Sequence, residues 1–287
     1  MEETTRLRIG LCGWNQSQRN YFLNFDCIEI QSTFYDPPRV QVANKWRDAA
    51  PSGFHFCIKA WQLITHTAAS PTYRRLRTLL PSGDRDAVGS FRPTEKVREA
   101  WHRTLAVARA VDARVVLFQC PKSFLPTSEN LINFSAFFRQ LDRDQFRLAW
   151  EPRGEAWTDD IVRELCAEYD LIHCVDTFEA RSLHGAVKYW RLHGRGFYSY
   201  RYTDGDLALL REMLEKADGP AYVMFNNFSS KADALRFRQL LLRERRYSIV
   251  RNGYKQKLSN NEANVGSRTG DDSSLGWGVV GPAPAPR

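Results

Sequence analysis

Charged residues recur at the ends of short apolar runs in this chain. Glu29, Lys59 and Glu151 each lie at the end of such a run, and Arg191 and His193 lie at the end of another. Carboxylates and imidazoles are the usual groups of general acid–base catalysis, and lysine and arginine bind phosphate or carboxylate groups. These residue types therefore favour acid–base chemistry on an anionic substrate.

The elements that would position these residues are eight strand-like runs with helix-period segments between most of them. The predicted strands are 7–12, 26–31, 54–59, 114–119, 146–151, 171–176, 187–193 and 221–226. The predicted helices are 95–111, 128–141 with Ser128 as N-cap, 155–169, 204–217 and 231–246. This alternation predicts an α/β TIM (β/α)8 barrel. A doubly wound open sheet is the alternative, but no GxGxxG follows the first strand, which disfavours a dinucleotide-binding sheet.

Strand alternation predicts which side chains face the barrel interior, because the bulky apolar positions should face the helices. The inward positions nearest the carboxyl ends of the strands are Glu29, Gln31, Lys59, Gln119, Glu151, Arg153, Asp176, Arg191, His193 and Asn226. One layer deeper the inward residues are Cys27, Cys57, Ala149 and Cys174. Catalytic groups of TIM barrels lie at the carboxyl ends of the strands, which favours a functional site. The alternative is a self-satisfied network of salt bridges that plugs the barrel.

Several segments, taken in order, resemble the YecE-like family, domain of unknown function 72. They are GLCGW (10–14), EIQSTFYDPP (29–38), WRDAAPSGFHFCIKAWQLITH (46–66), FQCPKSF (118–124), WEPR (150–153), VDTF (175–178), RLHG (191–194) and MFNN (224–227). The resemblance covers about residues 7–245 and implies a TIM barrel with its site at the residues named above. It also implies an analogy with metal-dependent apurinic endonucleases that rests on barrel similarity alone. The chain departs from the family pattern in a short segment between Trp14 and Asp26, and Gln31 stands where Asn is commoner.

The predicted roles divide the site into three groups. The catalytic candidates are Glu29, Glu151 and His193, and the substrate-binding candidates are Lys59, Arg153, Arg191, Gln31, Tyr35, Gln119 and Asn226. Glu29, Glu151, Asp176, His193 and His66 are candidate ligands of a divalent metal, with Mg²⁺ or Mn²⁺ suited to their oxygen-rich set.

Three functions remain open from the sequence. The leading one is hydrolysis of a phosphate-containing substrate, with nucleic acid among the candidates and an anionic small molecule or nucleic acid as the expected partner. The first alternative is a metal-independent carbohydrate or sugar-phosphate enzyme that uses Glu29 and Glu151. The second is a non-catalytic nucleic-acid-binding protein that uses Arg195, Arg201 and the aromatics of RGFYSYRY (195–202). Further aromatic residues on predicted site-face loops are Trp14, Tyr35, Trp61, Tyr198 and Tyr200.

Length and composition support these hypotheses. The chain has 287 residues and a formal net charge of +8, which favours anionic partners. It has neither a long apolar run nor an apolar N-terminal segment, so we expect a cytoplasmic protein with no membrane span and with its six cysteines reduced. We predict a barrel domain over 1–251 and a disordered tail over 252–287, which is rich in Asn, Ser, Gly and Pro. The long connection between the third and fourth strands, about 60–113, is predicted to form a lid or an extra subdomain.

Overall fold

Eight short runs rich in β-branched and aromatic residues form a closed parallel barrel, in which each strand pairs with the next and the last pairs with the first. The computed structural model describes residues 7–243. The strands are β1 (Leu7–Cys12), β2 (Cys27–Ile30), β3 (His55–Lys59), β4 (Ala113–Gln119), β5 (Arg147–Glu151), β6 (Leu171–Val175), β7 (Lys188–Leu192) and β8 (Ala221–Phe225). The predicted TIM barrel is confirmed, and each predicted strand agrees within one residue at either end.

Helices connect most of the strands. They are α1 (Gln18–Asn24), α2 (Ser32–Tyr35), α3 (Val40–Ala49), α4 (Gln62–Thr65), α5 (Glu95–Ala110), α6 (Ser128–Gln140), α7 (Asp159–Glu168) and α8 (Asp204–Glu215). Short 3-10 helices cover Pro71–Arg75 and Ser82–Ala87, and residues 230–243 are helical.

One predicted N-cap and one predicted helix start were wrong, because neighbouring threonines cap the helices. The Thr127 hydroxyl, rather than that of Ser128, accepts the Asn130 N–H at 3.2 Å, so Ser128 is the first residue of α6. Thr158 accepts the Ile161 N–H at 3.5 Å, so α7 begins at Asp159 and not at 155. A threonine oxygen satisfies a helix N–H that has no partner within its own helix, and this fixes where the helix begins.

The barrel interior is filled by small and medium-sized side chains, with aromatic rings toward one end. The cluster consists of Cys27, Cys57, Val115, Leu117, Ala149, Ile172, Cys174, Val187, Tyr189, Tyr222 and Met224. The predicted deep layer of three cysteines and an alanine is thus confirmed. All six cysteines are free, and burial raises the pKa of the Cys57 thiol well above its usual range. These thiols pack as small apolar groups.

The connection from β3 to β4 folds back on its own beginning. After α4 the chain passes through the two 3-10 helices and returns to α4 at Gly89, Ser90 and Phe91, which all have positive φ. Their amides donate to the carbonyls of 63–65. Phe91 is fully buried among the aromatic residues of β4 and α6. The long connection predicted from the sequence is therefore anchored to the barrel at its return point.

The described residues comprise a compact unit that extends to Leu240, followed by helical residues 241–243. The predicted boundary at 251 and the predicted tail at 252–287 lie outside the described residues. Within 7–243, no helix is long and apolar enough to cross a membrane.

Candidate functional site

Four buried charged residues lie at or next to the carboxyl ends of β2, β3, β5 and β7. They are Glu29, Lys59, Glu151 and Arg191, and each is at most 5% exposed. The register places Gln119 directly beside Glu151 at the ends of β4 and β5. Parallel strands bring their carboxyl ends to one rim of the barrel, so residues distant in sequence meet there.

The guanidinium of Arg191 lies between two carboxylates. Its Nε donates to Glu29 Oε2 at 3.0 Å, and its Nη1 donates to Glu151 Oε2 at 2.5 Å. The Tyr189 hydroxyl also donates to Glu29 Oε2 at 2.9 Å, and the Gln31 amide donates to Glu29 Oε1. Both oxygens of Glu29 are therefore occupied in a fully buried environment.

Glu151 is held ionised by the arginines around it. Arg153 donates to Glu151 Oε1 from Nη2 at 2.8 Å and from Nε at 3.2 Å, in addition to the bond from Arg191. Burial opposes ionisation of Glu151, but the charges of Arg191 and Arg153 outweigh it and lower its pKa to about 2. This carboxylate is unable to supply a proton near neutral pH.

His193 follows β7 and is oriented by Asp176. The Asp176 Oδ2 atom accepts the His193 backbone N–H at 2.7 Å and lies 3.4 Å from Nδ1 of the ring. The other ring nitrogen, Nε2, lies 3.2 Å from Arg153 Nη2 and 3.3 Å from Arg191 Nη1. Guanidinium nitrogens only donate, so Nε2 is the acceptor, and the neutral ring carries its proton on Nδ1 facing Asp176.

Lys59 is the buried cation at this rim that lacks a carboxylate partner. Its ammonium forms no ion pair or hydrogen bond with residues 7–243, and it lies 3.7 Å from the ring centroid of Phe34. Burial lowers the pKa of Lys59 to about 7, and the charge of Arg191 acts in the same direction. The aromatic face stabilises the ammonium only in part, which leaves it able to bind an anion.

The predicted metal ligands do not form a binding site. Within the described residues no group of three or more His, Cys, Asp or Glu side chains is placed to hold a metal ion. The Arg191 guanidinium, not an open coordination position, lies between Glu29 and Glu151. His66 bonds to the Thr65 hydroxyl through Nδ1 at 2.7 Å and packs edge-on against Phe34. The donor set does not fit a divalent cation, because arginine charges already neutralise Glu29 and Glu151 and Asp176 accepts the His193 backbone N–H.

Among the remaining predicted site residues, Gln31 joins the network through Glu29, and Gln119 neighbours Glu151. The Asn226 backbone N–H donates to Leu192 O at 2.8 Å, and its side chain is half-buried. Tyr35 lies beside the rim on α2, where the guanidinium of Arg75 lies over its ring at 3.6 Å from the centroid.

The loop after β7 presents aromatic rings beside His193. The Tyr198 ring packs edge-on to His193 with centroids 5.5 Å apart, and the Phe228 ring stacks on Tyr198 at 6.4 Å. Phe228 is 82% exposed. Two residues of the predicted nucleic-acid contact in 195–202 form bonds within the protein instead. Arg195 pairs with Asp206 at 2.9 Å. The Tyr200 hydroxyl donates to the same carboxylate.

Gly194 sets the path of this loop. Its φ is +90°, and a Cβ at this position would lie 2.3 Å from the Phe197 carbonyl oxygen. The turn therefore requires glycine directly after His193, and it brings Tyr198 back over the imidazole.

Three residues that contact rim groups or the loop beside His193 have no role in the sequence analysis. Tyr189 bonds to Glu29, and alternation along β7 aligns it with Arg191. Phe34 and Phe228 carry no sequence signal, because aromatic residues in loops and short helices are as often ordinary packing.

Comparisons with known proteins agree with this architecture. The model of the family described as protein of unknown function DUF72 matches residues 8–257. The crystal structure of a DUF72 family protein from Enterococcus faecalis V583 superposes with a TM-score of 0.63 at 18% identity, covering 84% of this chain and 99% of that one. A DUF72 family protein from Thermotoga maritima MSB8 gives a TM-score of 0.62 at 19% identity over 82% of this chain and 98% of that one.

A curated relative matches over a shorter stretch. The UPF0759 protein YecE of Escherichia coli K12 is 33% identical over 70 residues, which are 21% of this chain and 26% of that protein. The match thus spans about a quarter of the curated relative's length. The structural likenesses show the fold.

Proposed function

We propose that this chain, which belongs to the DUF72 family of proteins of unknown function, hydrolyses a phosphate-containing substrate. The proposal is inferred from its own site, at the carboxyl-end rim of the barrel. The observation that carries this proposal is Lys59, a buried cation that has no carboxylate partner among residues 7–243 and lies near the charges of Arg191 and Arg153. Such a cation is stabilised when an anion binds beside it.

Substrate binding would use the cations that remain available. Lys59 and Arg153 bind the phosphate, since Arg153 is the more exposed of the two arginines, with 28% of its side chain accessible. Arg191 is only 1% exposed and bridges Glu29 and Glu151, so it positions the network. Glu29 and Glu151 act as positioning residues that hold the guanidinium groups in place.

His193 is the acid–base residue of the proposal. When phosphate takes the Arg153 N–H groups, Nε2 of the imidazole loses one of its two guanidinium contacts and accepts a proton from water. The water oxygen bonds to phosphorus, the bond from phosphorus to the leaving oxygen breaks, and the imidazolium returns the proton to that oxygen. Asp176 stabilises the imidazolium through Nδ1, as a carboxylate behind a catalytic histidine does.

The test measures hydrolysis of p-nitrophenyl phosphate, bis(p-nitrophenyl) phosphate and a labelled oligonucleotide by wild type, His193→Gln and His102→Gln. His102 is an exposed histidine of α5 and serves as the matched control. We expect His193→Gln to lower kcat by about 100-fold or more, the usual contribution of a general base, and His102→Gln to leave it unchanged. Turnover that survives in His193→Gln, or a wild type that hydrolyses none of the three, refutes the catalytic assignment.

The rim geometry gives less support to the carbohydrate alternative. Glycoside chemistry needs one protonated carboxyl group, whereas Glu29 and Glu151 both accept hydrogen bonds from one guanidinium and Glu151 is ionised. The non-catalytic alternative retains one favourable observation, the exposed Tyr198–Phe228 stack, which suits a nucleobase. It predicts affinity for single strands that falls between 50 and 200 mM salt, with no turnover.

A further inference from the structure

A second cationic feature lies beside the barrel rim, on the far side of α2. It is a cleft of about 670 Å³, and five arginines line it together with Tyr35 and Trp46. The five, here called the arginine cleft, are Arg39, Arg74, Arg75, Arg77 and Arg103. Helix α2 separates the two sites, since Phe34 contacts Lys59 of the rim while Tyr35 lines the cleft.

The charge of the cleft is almost uncompensated. Among the described residues, Asp36 is the one carboxylate that lines it, and it pairs with Arg103 at 3.3 Å. Arg39, Arg74 and Arg77 are exposed and form no ion pair or side-chain hydrogen bond with the described part of the chain. Arg75 lies over the Tyr35 ring at 3.6 Å from its centroid. Four arginines thus line one cleft without acidic partners among residues 7–243, and their combined positive charge attracts anions.

The backbone that carries these arginines is fixed at both ends. Ser70 caps the 3-10 helix Pro71–Arg75 through the Thr72 amide, and the Tyr73 hydroxyl donates to His66 O at 2.8 Å. Beyond the helix, the Thr78 hydroxyl donates to Asp36 Oδ1 at 2.7 Å. The segment therefore presents its guanidinium groups from a defined backbone, and less freedom is lost when a ligand binds.

We propose that the arginine cleft binds the backbone of a single-stranded nucleic acid. Guanidinium groups spread along an open cleft match successive phosphates, whereas one phosphate group needs only two or three donors. The half-buried Trp46 offers aromatic surface of the kind on which unpaired bases stack, and the Arg75 guanidinium on the Tyr35 ring adds a planar cation to the same cleft. This site stands apart from the proposed hydrolysis, because it requires no residue of the rim.

The test is fluorescence anisotropy with labelled single-stranded DNA and RNA of about 15 nucleotides, a length within the range that single-strand-binding domains cover. The full chain is compared with Arg74→Gln/Arg75→Gln/Arg77→Gln. The control variant is Arg98→Gln/Arg139→Gln/Arg163→Gln, which removes the same number of positive charges. Its three arginines are exposed and paired with acidic residues. Binding is measured at several salt concentrations between 50 and 200 mM.

We expect the cleft variant to flatten the slope of log affinity against log salt by about 2, since each lost phosphate contact on a single strand contributes about 0.7. If the two proteins bind equally at 1 M salt, this corresponds at 50 mM salt to binding weaker by about 500-fold, while the control variant stays within a few-fold of wild type. His193→Gln should bind like wild type, which separates this inference from the proposed hydrolysis.

Three results overturn the inference. The first is an unchanged slope in the cleft variant, and the second is an equal loss in the control variant. The third is displacement of the oligonucleotide by inorganic phosphate at concentrations near that of the protein, which would assign the cleft to a small anion.

Discussion

Replacement of Lys59 by methionine should stabilise the protein and abolish anion binding at the rim. The lysine side chain has a pKa of 10.5 when free and about 7 in the folded protein, where it is 5% exposed. A difference of about 3.5 corresponds to about 5 kcal/mol at most, at about 1.4 kcal/mol for each tenfold step. Methionine is similar in length and carries no charge, so Lys59→Met removes this penalty.

The pH dependence of this effect has a definite sign. The folded pKa lies below the unfolded one, so between pH 7 and pH 10.5 the unfolded chain binds the extra proton and wild-type stability rises with pH. Below pH 7 the ammonium is charged in both states and the full penalty applies. The advantage of Lys59→Met is therefore about 5 kcal/mol at pH 6 and about 3 kcal/mol at pH 8.5, and it vanishes above pH 10.5.

Urea unfolding of wild type and Lys59→Met at pH 6 and pH 8.5 measures this difference, because other titrating groups cancel between the two proteins. A second series adds inorganic phosphate, which at 100 times its Kd should stabilise wild type by about 3 kcal/mol and leave Lys59→Met unchanged. Equal or lower stability of Lys59→Met at pH 6, with no dependence on pH, would show that the ammonium is paired or hydrated and would refute the reasoning.

Two further predictions concern the rim. Gly194→Ala should lower Tm and activity together, because its Cβ would lie 2.3 Å from a backbone carbonyl oxygen, whereas Gly196→Ala, with a similar φ but open space around it, should cause a smaller loss of Tm and leave activity near wild type. Arg191→Met should destabilise the fold by about 3–5 kcal/mol in urea unfolding, because Glu29 and Glu151 lose their shared partner, and adding Glu29→Gln and Glu151→Gln should restore part of this stability. An unaltered unfolding midpoint for Arg191→Met would mean that the bridge is not formed in solution.

The sequence predicted the barrel and the rim well because both depend on periodicity. Alternation along β5 and β7 is a local property, so Glu151 and Arg191 could be assigned to the interior without knowledge of their neighbours. Their partners could not be assigned, because Arg191 reaches Glu29 and Glu151 only after the barrel has closed around them. This is why the sequence predicts a divalent-metal site: inward carboxylates resemble a set of metal ligands as long as the position of the guanidinium between them is unknown.

The arginine cleft could not be predicted for a related reason. Arg74, Arg75 and Arg77 are neighbours in sequence, but Arg39 and Arg103 join them through the packing of α3 and α5 with the long connection. A run of basic residues in a loop has no fixed direction in the sequence alone. Its net charge in the fold depends on which acidic residues pack against it, and within the part of the chain that the structure describes only Asp36 lines the cleft.

Because the long connection returns to α4, the segment between its two ends can be exchanged without moving the barrel. The amides of Gly89 and Phe91 donate to the carbonyls of Leu63 and Ile64 at 2.7 and 2.9 Å, so the excursion between them starts and ends at almost the same place. A loop whose ends are joined in this way can change length or sequence at little entropic penalty and without shifting β3 or β4. Arg74, Arg75 and Arg77 lie inside it, so evolution can exchange the surface that selects a partner while the chemistry of the barrel stays in place.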